Sequence, residues 1–101
     1  MSIFDFLKTP DINEGIKIYK ATKGAVLLDV RTKEEYADKN IGNSVNLPLD
    51  EIEGFEKLCP NKNVPVFVYC RSGKRSKKAV KKLKNLGYAG AVNIGGIKDY
   101  K

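Results

Sequence analysis

Val66-Phe67-Val68-Tyr69 runs directly into Cys70-Arg71-Ser72-Gly73-Lys74-Arg75, and from Ser76 the pattern turns helical. The first four residues are β-branched or aromatic throughout, which makes them the strongest strand in the chain. Beyond Arg75, Ala79, Val80, Leu83 and Leu86 recur at helical spacing, while Lys77, Lys78, Lys81, Lys82 and Lys84 point mostly outward. Gly87 stands where a helix-ending C′ glycine belongs. A strand, a short loop and a helix in this order form half of a βαβ unit, and that unit decides the fold class.

The flanking sequence repeats the alternation. After Thr9-Pro10, Asp11 to Tyr19 reads as a helix with Ile12, Ile16 and Tyr19 on one face. Gly24 breaks it. Ala25-Val26-Leu27-Leu28-Asp29-Val30 suits a buried parallel strand, because a short apolar run ends at a charge. Thr32-Lys33-Glu34-Glu35 is a capping box that starts a short helix ending near Asn40. Ser44-Val45-Asn46-Leu47 is a short strand stopped by Pro48, and Asp50 caps a helix running to about Leu58. Ala91-Val92-Asn93-Ile94 is a last strand, followed by a flexible Gly95-Gly96 pair. The expectation is one α/β domain over residues 1–101. Its central sheet is mostly parallel, of four to five strands, with helices on both faces.

Composition limits the chemistry. At 101 residues the chain is long enough for one modest core. It has no histidine, which removes Ser-His and Cys-His catalysis and His-ligated metals. With only Cys59 and Cys70, a four-cysteine zinc site and a multi-bridge disulfide scaffold are excluded as well. The longest wholly apolar run, Val66 to Cys70, is five residues, against about 20 for a spanning helix. The first residues carry no secretory pattern, so a cytoplasmic protein without membrane attachment is expected.

Net charge is +7, unevenly spread: eleven Lys or Arg and no Asp or Glu lie between Lys57 and Lys98. A solvated lysine-rich helix face accounts for this, as do an anionic small substrate or an acidic protein partner. No aromatic residues interleave the basic cluster, which argues against nucleic acid.

The loop opened by Cys70 is where chemistry is expected. Ligands of open α/β sheets bind beyond the carboxyl ends of the strands. A strand–loop–helix turn there gathers backbone N–H groups and the positive end of the helix dipole into one cradle. With Arg71, Lys74 and Arg75 around it, Cys70 is expected to favour thiolate, and no general base is then needed. The alternative is a buried strand-end cysteine of structural use only. Cys59, before Pro60 in a connecting segment, reads as structural or incidental.

Four ordered motifs together resemble the single-domain rhodaneses, or sulfurtransferases. They are Leu28-Asp29-Val30-Arg31-Thr32-Lys33-Glu34-Glu35-Tyr36, Asn46-Leu47-Pro48, Tyr69 to Ser76, and Leu86-Gly87-Tyr88 through Asn93-Ile94-Gly95-Gly96-Ile97. The resemblance spans about Asp11 to Tyr100. It departs from the common pattern at Asn40-Ile41, at Gly42-Asn43 and at Tyr100, none of which is the sulfur-carrying position.

The resemblance implies a rhodanese-like domain in which Cys70 carries sulfane sulfur as a persulfide. Sulfur would come from thiosulfate or another donor and pass to cyanide or a thiol. Arg71, Lys74 and Arg75 would hold the donor's sulfonate, and loop amides, those of Ser72 and Gly73 included, would stabilise the persulfide. Gly73 would let the backbone fold tightly. Ser76 would cap the helix, with contact to the sulfur as its second use. Asp29 and Arg31 read as structural ties between loops. No cofactor is expected.

Two competing functions remain. One is a persulfide relay module with a dedicated partner, for which the Lys77 to Lys84 face would be the docking surface. The other is a cysteine-dependent phosphatase or arsenate reductase. Those enzymes place Arg after five intervening residues, whereas Arg75 follows Cys70 with four between. The loop is one residue tighter, which fits a sulfur atom better than a phosphoryl group.

Overall fold

The computed structural model describes residues 10–101. Its centre is a four-stranded, all-parallel sheet built from β1 (Val26–Asp29), β2 (Val45–Asn46), β3 (Val66–Cys70) and β4 (Ala91–Gly96), in the order β2-β1-β3-β4. The strand count and parallel pairing match expectation. The helices are α1 (Ile12–Lys20), α2 (Lys33–Asp38), α3 (Phe55–Leu58) and α4 (Lys74–Asn85), with 3₁₀ turns at Leu49–Gly54 and Ile97–Asp99.

Side-chain alternation along β3 divides the core. Val66, Val68 and Cys70 join Leu28, Ile52, Phe55, Ala79, Leu83 and Tyr88 on the side of α3 and α4. Phe67 and Tyr69 join Ile12, Ile16, Leu27, Ile41 and Ile94 on the side of α1. All five residues of β3 are buried, as befits a parallel strand covered on both faces. Cys70 therefore ends its strand facing α4, and that orientation is what lets a helix N-terminus reach its sulfur.

Local signals hold at several termini. The Asp11 side chain accepts from the Asn13 N–H at 3.0 Å and caps α1. The Thr32/Glu35 capping box is fully formed at the start of α2. Gly87 follows α4 with φ +108°. Asn43, in one of the atypical stretches, takes a left-handed conformation (φ 69°) that Asn tolerates better than most residues.

Three expectations are corrected. Asp50 is not a helix cap: it sits inside the 3₁₀ turn, which Pro48 precedes without a side-chain cap. The helix of the loop begins at Lys74 rather than Ser76, because Gly73 (φ +97°) turns the chain at the N-cap position. Gly95 and Gly96 do not form a flexible break but belong to β4. The register slips there, Val68 pairing with Asn93 and Tyr69 with Gly95, and Gly95 (φ +108°) absorbs the bulge.

Candidate active site

The residues from Cys70 to Ser76 form a tight turn resting on the end of β4. Gly96 makes this possible: a Cβ there would stand 2.6 Å from the Arg71 carbonyl carbon and the Ser72 Cα. The Lys98 N–H donates to the Arg71 carbonyl at 3.2 Å and ties the turn to the final 3₁₀ segment.

Cys70 is 1% exposed, and its Sγ lies at the floor of this turn. The Gly73 N–H points at it from 3.0 Å and the Ser76 Oγ stands 3.4 Å away. The first N–H groups of a helix lack intrahelical partners, and α4 has no side-chain cap. The sulfur takes the cap's place. Burial pushes the Cys70 thiol up, but hydrogen bonds from the Ser76 hydroxyl and from the amides of Ser76, Gly73 and Ser72 outweigh it, leaving it below its ordinary value. The direction matches the sequence expectation, and the backbone amides of the expected cradle are among its causes, with the Ser76 hydroxyl the largest of the donors.

The expected site residues separate into three groups. Gly73 and Ser76 meet the sulfur directly, and Ser76 lies within α4 with its side chain fully buried, so it is not the helix cap. Arg71, Ser72 and Lys74 are exposed along the turn, and Ser72 reaches the sulfur through its amide. Arg75 is engaged elsewhere: its guanidinium makes a bidentate pair with Glu35, at 2.7 and 3.0 Å. That pair, together with the capping box, holds the Glu35 carboxyl down to about 2.

Glu35 and Asn93 are site residues that sequence reasoning missed. The capping box concealed the second use of Glu35. Asn93, an amide inside a strand where Asn is disfavoured, was the available signal. Its Nδ2 donates to the Gly73 carbonyl at 3.0 Å and its Oδ1 accepts from the Gly95 N–H at 3.0 Å. Beneath the loop, Asp29 and Arg31 form a buried pair. The Arg31 Nη2 donates to Asp29 Oδ2 at 2.8 Å and to the Lys39 carbonyl at 2.6 Å. The two residues thus tie the end of β1 to the end of α2, as expected.

Cys59 stays apart from this centre. It follows α3, and the Tyr88 hydroxyl donates to its carbonyl at 2.5 Å. Tyr88 lies just past the far end of α4, a 12-residue helix about 18 Å long, and both cysteines are free thiols. A groove of about 720 Å³ flanks the turn between α4 and β4, lined by Lys74, Lys77, Lys84, Val80 and Val92 among others. Cys70 does not line it. Among the described residues, no group of three or more His, Cys, Asp or Glu side chains could hold a metal ion, and no helix is long and apolar enough to cross a membrane.

A parallel α/β sheet with a cysteine sulfur seated under the amides of a strand–loop–helix turn defines an anion-stabilising cysteine site. The chain belongs to the rhodanese-like domain family, whose model matches residues 14–101. It is 38% identical over 73 residues to the thiosulfate sulfurtransferase PspE of Escherichia coli (strain K12), covering 71% of this chain and 70% of that protein. It is 36% identical over 88 residues to the adenylyltransferase and sulfurtransferase uba4 of Ogataea parapolymorpha, covering 86% of this chain but only 23% of that longer protein.

Among solved structures, the human single-domain sulfurtransferase TSTD1 superposes with a TM-score of 0.76 at 27% identity, covering 91% of this chain and 95% of that one. An E. coli rhodanese described with anions gives 0.71 at 37% identity, covering 74% and 89%. These relatives support sulfur transfer as the general class of chemistry.

Proposed function

We propose that residues 1–101 act as one cytoplasmic unit that moves a sulfane sulfur from thiosulfate, or another sulfur donor, to a thiophilic acceptor through a Cys70 persulfide. The observation that carries this reading is the Cys70 sulfur held under the Gly73 amide and beside the Ser76 hydroxyl. Donors so placed stabilise an anionic sulfur both before and after it accepts a second sulfur atom.

In the first half-reaction the Cys70 thiolate attacks the outer sulfur of thiosulfate. A Cys–S bond forms, the bond to the sulfonate sulfur breaks, and sulfite leaves with the electron pair. In the second, cyanide or a thiolate attacks the outer persulfide sulfur and the Cys70 thiolate is restored. Two half-reactions sharing one covalent intermediate give ping-pong kinetics. Arg71 and Lys74, which have no ion pair among the described residues, supply charge for the sulfonate. Arg75 adds a third positive charge while bonded to Glu35. The exposed Lys77, Lys78, Lys81, Lys82 and Lys84 suit an acidic protein partner, and a free reactive thiol fits the cytoplasm.

Mass spectrometry of the intact protein after incubation with thiosulfate tests this, with Cys70→Ser alongside. The expected result is a gain of one sulfur atom that cyanide removes and that the variant lacks. Loading without cyanide turnover would favour relay to a dedicated partner. No loading from any sulfur donor would overturn the reading and direct attention to phosphate esters.

A further inference from the structure

Asn93 has its amide committed at both ends. Nδ2 donates to the Gly73 carbonyl and Oδ1 accepts from the Gly95 N–H. A carbonyl needs a donor and an N–H needs an acceptor, so only one orientation of the amide satisfies both. In that orientation Oδ1 lies 2.7 Å from the Ser76 Oγ, and the hydroxyl must supply the proton between them. The same hydroxyl stands 3.4 Å from the Cys70 Sγ. A hydroxyl has one proton, so it cannot donate to both acceptors. While Cys70 is a thiol, its S–H can donate to Ser76 Oγ and the hydroxyl proton rests on Asn93. Once the sulfur is an anion it becomes the stronger acceptor, and the hydroxyl turns toward it.

We propose that Asn93 is a positioning residue for Cys70: its Oδ1 competes with the sulfur for the Ser76 hydroxyl, so the hydroxyl is delivered to the sulfur only when that sulfur is negatively charged. The inference rests on the reading of Cys70 as sulfur carrier, yet it is tested without any sulfur donor. Failure of sulfur loading and failure of this inference are therefore separate results.

The charged and titratable groups around the sulfur are Lys74 and Arg75 of α4, Glu35 of α2 paired with Arg75, and the Asp29–Arg31 pair at the end of β1. Arg71 of the loop, and Lys98, whose N–H donates to the Arg71 carbonyl, stand on the adjoining segments. They are the same in every variant below.

Asn93 also holds the Gly73 carbonyl, so replacing it both releases the hydroxyl and loosens the turn. A double-mutant cycle separates the two effects. In a Cys59→Ser background, where Cys70 is the sole thiol, the ultraviolet absorbance of the thiolate is titrated for the parent, Ser76→Ala, Asn93→Ala and the double variant. Ser76→Ala is expected to raise the midpoint by about one pH unit, the effect of losing one hydrogen bond to a charged group. Asn93→Ala is expected to raise it by at least about half a unit less when Ser76 is present than when it is absent, because the released hydroxyl partly offsets the loosened turn.

Equal shifts in the two backgrounds overturn the proposal, since Asn93 would then act on the turn alone. A larger shift with Ser76 present also overturns it, as does a Ser76→Ala midpoint equal to the parent's. If Asn93→Ala does not fold, Asn93→Val, which suits a strand, carries the same comparison.

Discussion

Gly96→Ala probes the link between packing and chemistry most directly. The added Cβ would sit 2.6 Å from the Arg71 carbonyl carbon and the Ser72 Cα, and nearer still to the Arg71 oxygen. All three are backbone atoms, so no side-chain rotation relieves the clash. Ordinary contact begins at 3.4 Å, so these two carbons must retreat by about 0.8 Å and the Arg71 oxygen by more. Overpacking of this kind costs about 1–3 kcal/mol, which leaves a domain of ordinary stability, about 5–15 kcal/mol, folded.

The chemistry is more sensitive. The Gly73 N–H is 3.0 Å from Sγ, and a displacement near 1 Å at a reacting centre costs roughly 10²-fold in rate. Denaturant unfolding should show a lower midpoint with unchanged slope, and timed mass spectrometry should show persulfide loading slowed about 10²-fold. Gly42→Ala is the control, because no atom lies within 4 Å of a Cβ there. It should change neither quantity. Loading by Gly96→Ala at the parent rate would refute the reasoning that the turn depends on its seat against β4.

Two further outcomes follow from the charged groups near the loop. Asp29→Ala leaves the Arg31 guanidinium, 6% exposed, without its carboxylate. Urea unfolding should show a loss of about 3–5 kcal/mol, most of it recovered when Arg31 is also made apolar. Glu35→Gln should cost at most about 1 kcal/mol at neutral pH, since the Arg75 pair is about one-third exposed and screened by solvent. The Glu35 carboxyl is lowered to about 2 in the fold, against about 4.3 unfolded. The pair's contribution is therefore complete above the unfolded value and lost as pH falls through the folded one. Thermal melts of parent and variant should differ at neutral pH and converge as pH falls from about 4.3 toward 2; a constant difference would place the stabilisation elsewhere.

Much of the fold was legible because its signals are local. The apolar run of β1, the Thr32–Glu35 capping box, β3 with its apolar and aromatic residues, and the lysine-studded α4 closed by Gly87 each act within a few residues. The errors occurred where a distant group replaced a local one. Ser76 looks like a helix cap because Ser favours that position, but the Cys70 sulfur, six residues back, occupies the cap's role. Gly95-Gly96 reads as a flexible break until β4 is paired with β3 and the loop is laid over Gly96. Arg75 gives no local sign that Glu35, forty residues upstream, pairs with its guanidinium.

By itself the sequence determined the alternation of strands and helices, and with it a parallel sheet. It also placed one cysteine at the carboxyl end of the central strand, at the mouth of a glycine-containing turn. These follow from side-chain shape and hydrophobic period, which the chain carries locally. The tertiary structure alone decided which groups face the sulfur. Pairing β4 with β3 through a bulge brings Asn93 under the turn, and packing α2 near α4 gives Arg75 its carboxylate. Hydrogen bonds and ion pairs depend on ångström-scale distances between residues far apart in the chain, and those distances exist only once the sheet has formed.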